Sequence, residues 1–97
     1  MKMTLVTIVA EAILEDRLVR DLHAVGATGH TITTAHGAGS RGVRVGASGE
    51  GNVRIETVVG SEVAEALLGV LAERYFPHYA AIAWTAEVIV IRGDKFG

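Results

Sequence analysis

The sequence predicts an α+β sandwich, a four-stranded antiparallel sheet carrying two helices on one face. Three observations predict it. Four apolar, β-branched runs have strand length, two further segments repeat apolar residues at helical spacing, and they follow one another in the order β-α-β-β-α-β.

Residues 2–10, KMTLVTIVA, form the first strand, with Met3, Leu5, Thr7 and Val9 on one face. Over residues 11–25, Leu14, Leu18, Leu22 and Val25 recur at helical spacing. Glu15, Asp16, Arg17 and Arg20 occupy the other faces, and Gly26 supplies a C-terminal stop. Residues 29–36, GHTITTAH, carry strand-favouring side chains at their centre and form strand 2. Residues 52–59, NVRIETVV, alternate Val53, Ile55, Thr57 and Val59 against Arg54 and Glu56, the period of a half-buried strand, and pair with strand 2 as a long-looped hairpin.

Gly60 and Ser61 then offer a break and an N-cap hydroxyl, and Glu62 suits the positive end of a helix. Val63, Leu67, Val70, Leu71 and Arg74 follow at helical spacing until Pro77 closes the element. Residues 81–91, AIAWTAEVIVI, are an apolar run broken only by Glu87, and form strand 4. This is the ferredoxin-like arrangement. Its two helices cover one sheet face, yet strands 1 and 4 are apolar on both sides. At about 25 cal/mol per Å² of apolar surface, that second face should not stay in water, so a homo-oligomer with inward-facing sheets is expected.

Composition narrows the function classes. Of 97 residues, 49% are hydrophobic and 21% charged, which suits a compact globule and excludes a disordered polar chain. No cysteine is present, so thiolate metal sites, thiol nucleophiles and disulfides are excluded, and a cytoplasmic setting is expected. The formal net charge is −2, which lacks the basic field of a nucleic-acid partner. The apolar N-terminal run meets Glu11 too early for a membrane span or signal peptide, so no direct membrane insertion is expected.

Between strands 2 and 3 lies HGAGSRGVRVGASGEGN, residues 36–52, with six glycines in seventeen residues. GAGSRG matches the dinucleotide pattern G-x-G-x-x-G literally, but that fingerprint must open a helix, and here a strand follows. Val43 after Gly42 also breaks the P-loop pattern. Two readings stay open. The loop is a passive glycine-rich connection, or it is an anion-binding loop. Its length, its bare backbone N–H groups, and Arg41, Arg44 and Arg54 against the lone acid Glu50 favour the second.

The other polar candidates carry less. His30 and His36 are expected on one strand face about 20 Å apart, too far for one ion, and His23 and His78 read as surface residues. Ser40 has no evident His-Asp relay, and Trp84 and Tyr79 suit packing as well as base stacking. No catalytic or metal-binding set emerges.

With the loop so placed, the chain resembles a PII-like signalling protein over nearly its whole length. GATGHTITTAHGAGSRGVR is similar to the segment that enters the T-loop of that family. GSRGVR, residues 39–44, and ERYFPHYAAIAWTAEVIVIRGDKFG are similar to its SbtB-like, carboxysome-associated branch, whose B-loop reads YF-x-x-YA. The resemblance implies one PII-like domain over residues 1–97, a homotrimer, and a mobile T-loop over about residues 37–51. It implies adenine-nucleotide sites in the clefts between subunits, for ADP or AMP, with ATP and cyclic AMP as further candidates and bicarbonate as a co-ligand.

Carried over by position, Gly37, Gly39, Ser40, Arg41 and Arg44 form the phosphate-holding base of the T-loop, and Thr31 lies near the ribose or base. Tyr79, Ala80 and Ala81 form the B-loop from the neighbouring wall, with Arg92 and Gly93 contributing from the C-terminal segment. The implied role is signal transduction in inorganic-carbon uptake or carbon fixation, with a bicarbonate transporter or a carboxysome-related protein as partner. No enzyme activity is implied.

The chain departs from the family in three places. It lacks the glycine-and-lysine B-loop and the tyrosine-bearing uridylylation segment of nitrogen-regulatory members. Ala81 stands where transporter-associated relatives have glycine, and the C-terminal segment RGDKFG carries no cysteine. Two alternatives share the fold: a CutA-like structural or metal-tolerance trimer, and a small acylphosphatase-like hydrolase. The hydrolase needs an anion loop between strand 1 and helix 1, where this chain has the acidic, glycine-free IVAEAILED.

Overall fold

The structure is a computed structural model and describes residues 1–37 and 51–92. Its elements are β1 (Lys2–Glu11), a 3-10 turn (Ala12–Leu14), α1 (Glu15–Ala24), β2 (Thr31–Ala35), β3 (Asn52–Val59), α2 (Ser61–Val70) with a π-helical turn (Leu71–Tyr75), and β4 (Ile82–Ile89). The sheet order is β2-β3-β1-β4, with each neighbouring pair antiparallel, which is the expected ferredoxin-like topology.

The alternation expected of β1 and β3 builds the core. Val6, Ile8 and Ala10 of β1 and Val53, Ile55 and Val59 of β3 pack under the helices against Leu14, Leu18, Leu22, Leu67, Leu71 and Tyr75. Leu14, Leu18 and Leu22 recur every fourth residue and keep one stripe on the sheet. Gly26, at φ +116°, then turns the chain out of α1, a conformation that a Cβ would oppose.

Several boundaries differ from the expectation. Helix 1 does not begin at Glu11, because Glu11 still pairs with Asn52 at the end of the β1–β3 ladder, and a 3-10 turn intervenes before Glu15. β2 is shorter than residues 29–36, so His30 and His36 both lie outside it. β4 likewise occupies less than residues 81–91. Ser61 is not the N-cap of α2. Gly60 takes that position in extended conformation, without a side-chain cap bond, and Ser61 is the first helical residue.

Helix 2 does not run uniformly to Pro77 either. After Val70 the chain widens into the π turn, where Phe76 N–H donates to the Leu71 carbonyl at 2.9 Å. Leu67, Leu71 and Tyr75 are all fully buried, so the widened turn keeps residues four apart on one face.

Among the described residues, no helix packs on the opposite sheet face. Thr31, Glu56, Thr7 and Trp84 form one row across it, and Thr33, Arg54, Val9 and Ile82 form the next. The β2–β3 half is therefore polar. The β1–β4 half is apolar, with Leu5, Val9, Ile82, Trp84, Ala86 and Val88 in register. Ile82 is 50% and Trp84 49% exposed in the single chain. Among the described residues no helix is long and apolar enough to cross a membrane.

Candidate functional site

The described candidate residues are spread along the sheet from one end to the other. Gly37 follows β2 and Tyr79, Ala80 and Ala81 precede β4, at the end where Ala35 and Glu11 both pair with Asn52. The two edge strands stand three strand spacings apart there, about 14 Å. Gly51, at φ +74°, closes this end, and its carbonyl accepts from Ala12 N–H at 3.0 Å. Asn52 is buried beside it, and its Oδ1 has no hydrogen-bond partner among the described residues. Gly39, Ser40, Arg41, Arg44 and Gly93 lie outside the described residues.

Thr31 lies midway, in the row of Glu56, Thr7 and Trp84, and Arg92 belongs to the other end. Thr31 opens β2, about 20 Å along the strand from Gly37. Arg92 follows β4, just past Val90, whose N–H donates to the Met1 carbonyl at 2.9 Å. Near Thr31, a cavity of about 380 Å³ opens between the α1–β2 connection and the start of α2, lined by Gly26, Thr28, Val58, Val59, Gly60, Ser61, Glu62 and Val63. Sequence reasoning missed it, since it forms from two segments that meet only in the fold. One chain does not bring these described candidate residues together.

The B-loop segment is tied to α1 by a network that the sequence did not announce. Arg17 Nη1 donates to Tyr79 Oη at 2.8 Å, and its guanidinium lies 5.4 Å and 5.5 Å from the ring centroids of Tyr75 and Tyr79, within cation–π range. The buried Tyr75 donates its hydroxyl to Asp21 Oδ2 at 2.5 Å, and Arg74 Nη1 sits 3.5 Å from Asp21 Oδ1. The recoverable signal was the spacing of Arg17 and Asp21, one helical turn apart on α1.

Burial, followed by the hydrogen bond to Asp21 and its charge, pushes the Tyr75 hydroxyl from its ordinary 10 up to about 12. The native state therefore holds this proton more tightly than the unfolded chain. Its contribution is complete below pH 10 and is lost as pH rises from 10 to about 12. Tyr75→Phe is expected to cost about 1.5–3 kcal/mol at neutral pH, the range for a hydrogen bond to a charged group. Urea midpoints on both proteins check this. The gap between them should shrink as pH climbs through that alkaline window.

The fold and its long β2–β3 connection define a ferredoxin-like α+β domain with candidate ligand groups at both ends of the sheet. The chain belongs to the P-II family: it matches the family model for nitrogen regulatory protein P-II over residues 3–95. It is 47% identical to a protein of Thermus thermophilus assigned to the PII-like signalling proteins. That alignment covers 99% of this chain and 96% of the other, with a TM-score of 0.86. Its fold is similar to that of CPII from Thiomonas intermedia, bound to ADP and bicarbonate, at 21% identity and TM-score 0.88, covering 100% of this chain and 96% of that one. A more distant likeness is to Bacillus subtilis GlnK in complex with ATP, at 18% identity and TM-score 0.69, covering 99% and 93% of the two chains.

Proposed function

We propose that this chain is a sensor of adenine nucleotides that works as a homotrimer. ADP or AMP binds in each cleft between subunits, with ATP and cyclic AMP as competitors and bicarbonate as co-ligand. The observation that carries this reading is the spread of the candidate residues along the sheet, from Gly37 and Tyr79–Ala81 at one end through Thr31 to Arg92 at the other, so that no single chain brings them together. Gly37 and Tyr79–Ala81 of one chain would meet Thr31, Arg92 and the 380 Å³ cavity of a neighbour, the volume range of a small-ligand pocket. The open sheet face with its apolar β1–β4 half supplies the surface for that assembly.

In this reading, phosphates are held by backbone N–H groups around Gly37 and Gly39, by Ser40, and by the guanidinium groups of Arg41 and Arg44. Ala80, Ala81 and Gly93 leave the close approach clear. Ordering of the T-loop, about residues 37–51, is the signal that a partner reads. The likeness to CPII, which holds ADP and bicarbonate, favours a role in inorganic-carbon uptake or fixation, with a bicarbonate transporter or a carboxysome-related protein as partner. A hydrolase of acylphosphatase type is disfavoured, because the β1–α1 junction where it would bind phosphate is a depression lined by Ala12, Ile13, Glu15 and Asp16. Carboxylates there repel a phosphate.

A thermal-shift panel of ATP, ADP, AMP and cyclic AMP, each with and without bicarbonate, tests the proposal. A ligand at one hundred times its Kd stabilises the folded state by about 2.7 kcal/mol, so ADP or AMP should raise Tm by about 10–20 °C. An unchanged Tm with every nucleotide overturns the reading.

A further inference from the structure

We infer that His23 and His30 form a two-imidazole site for a divalent transition-metal ion, Cu²⁺ in first place. The site is independent of the nucleotide reading. Seven residues separate the two histidines in sequence, but the turn after α1 folds them together. His23 Nε2 lies 3.0 Å from His30 Nδ1, with the rings edge-on at 5.0 Å between centroids and 64° between planes. Both side chains are exposed. The histidines are surface residues, as expected, and the turn brings two of them together: His30 meets His23.

The protonation pattern follows from the neighbours. His23 Nδ1 is 2.8 Å from the Ala27 carbonyl oxygen, an acceptor only, so Nδ1 carries the proton and Nε2 presents its lone pair. This is the arrangement that orients metal-binding imidazoles, where the non-ligating ring nitrogen donates to a backbone carbonyl. Without metal, His30 Nδ1–H donates to the His23 lone pair. With a metal bound, His30 would carry its proton on the outer nitrogen Nε2 instead, leaving its Nδ1 lone pair, like that of His23 Nε2, for the ion.

Imidazole nitrogens suit divalent transition-metal ions, and Cu²⁺ leads the affinity order for such ligands. The pair stands on a braced platform. Ala27 N–H donates to the Leu22 carbonyl at 3.1 Å, and Thr57 Oγ1 donates to the Gly29 carbonyl at 2.6 Å, so both ends of the connection are held. Among the described residues no third histidine or carboxylate joins them. The other coordination positions are open to water or to an external donor.

Titration of the full chain with CuSO₄, followed by calorimetry and electron paramagnetic resonance, tests the site. One Cu²⁺ per chain is expected, with hyperfine structure from two nitrogens, and Zn²⁺ should bind the same pair more weakly. His23→Ala and His30→Ala should each weaken Cu²⁺ binding by at least about 10- to 100-fold, the loss that removal of even an outer partner causes. His36→Ala and His78→Ala should leave it unchanged. The proposal is overturned if the wild-type chain takes up no Cu²⁺, or if the double variant at positions 23 and 30 binds as tightly as the wild type. Nucleotide-dependent stabilisation, measured on the same variants, is expected to persist, so loss of the metal site and failure of the nucleotide reading give separate results.

Discussion

Trp84→Glu is expected to dissociate the trimer into monomers. Trp84 stands on the helix-free face in register with Thr7, flanked along β4 by Ile82 and Ala86, and half of it is exposed in the single chain. A tryptophan buries about 150–250 Å², so covering the exposed half contributes about 2–3 kcal/mol per chain. Glutamate removes that contribution and also places a carboxylate in a closed apolar contact, where an unpaired charge costs several kcal/mol more. Three copies meet in a trimer, so the penalty recurs in every interface. Sedimentation should show the wild type at three times the 10.2 kDa chain mass and the variant at one, with a lower Tm. A monomeric wild type, or a Trp84→Glu protein that still assembles, overturns the oligomer reading.

That face was legible before the fold, because strands 1 and 4 are apolar on both sides and two helices cover only one. β3 was legible to the residue for a related reason. Its strict alternation of Val53, Ile55, Thr57 and Val59 is the simplest pattern a half-buried strand can show. What stayed hidden depended on contacts between segments. Glu11 reads as a helix opener until its pairing with Asn52 is seen. Tyr75 continues the Leu67–Leu71 stripe one turn further, and the π turn that holds it is seen only in the structure. The His23–His30 pair depends on a turn geometry that sequence separation does not reveal. The candidate ligand residues were found by likeness and not by periodicity. Where they fall along the sheet is a three-dimensional fact that no local pattern carries.

Arg41→Ala is expected to weaken ADP binding roughly ten- to a hundredfold. The two open readings of the loop between Gly37 and Gly51 diverge most at this residue. A passive connection needs only length and glycine, so removing a guanidinium leaves nucleotide affinity unchanged. A phosphate-binding loop loses a charged hydrogen bond, about 1.5–3 kcal/mol, which is one to two factors of ten in Kd. Arg44→Ala should act in the same direction, because both arginines answer the same phosphate charge. Arg20→Ala is the control, an exposed arginine on α1. Calorimetry at two salt concentrations adds an independent readout, since the charged contribution weakens as ions screen it, whereas contacts to the base do not. Equal ADP affinity in wild type and Arg41→Ala would remove the loop from the nucleotide site. It would leave the cavity beside Thr28 and the Tyr79–Ala81 segment to bind the nucleotide without it.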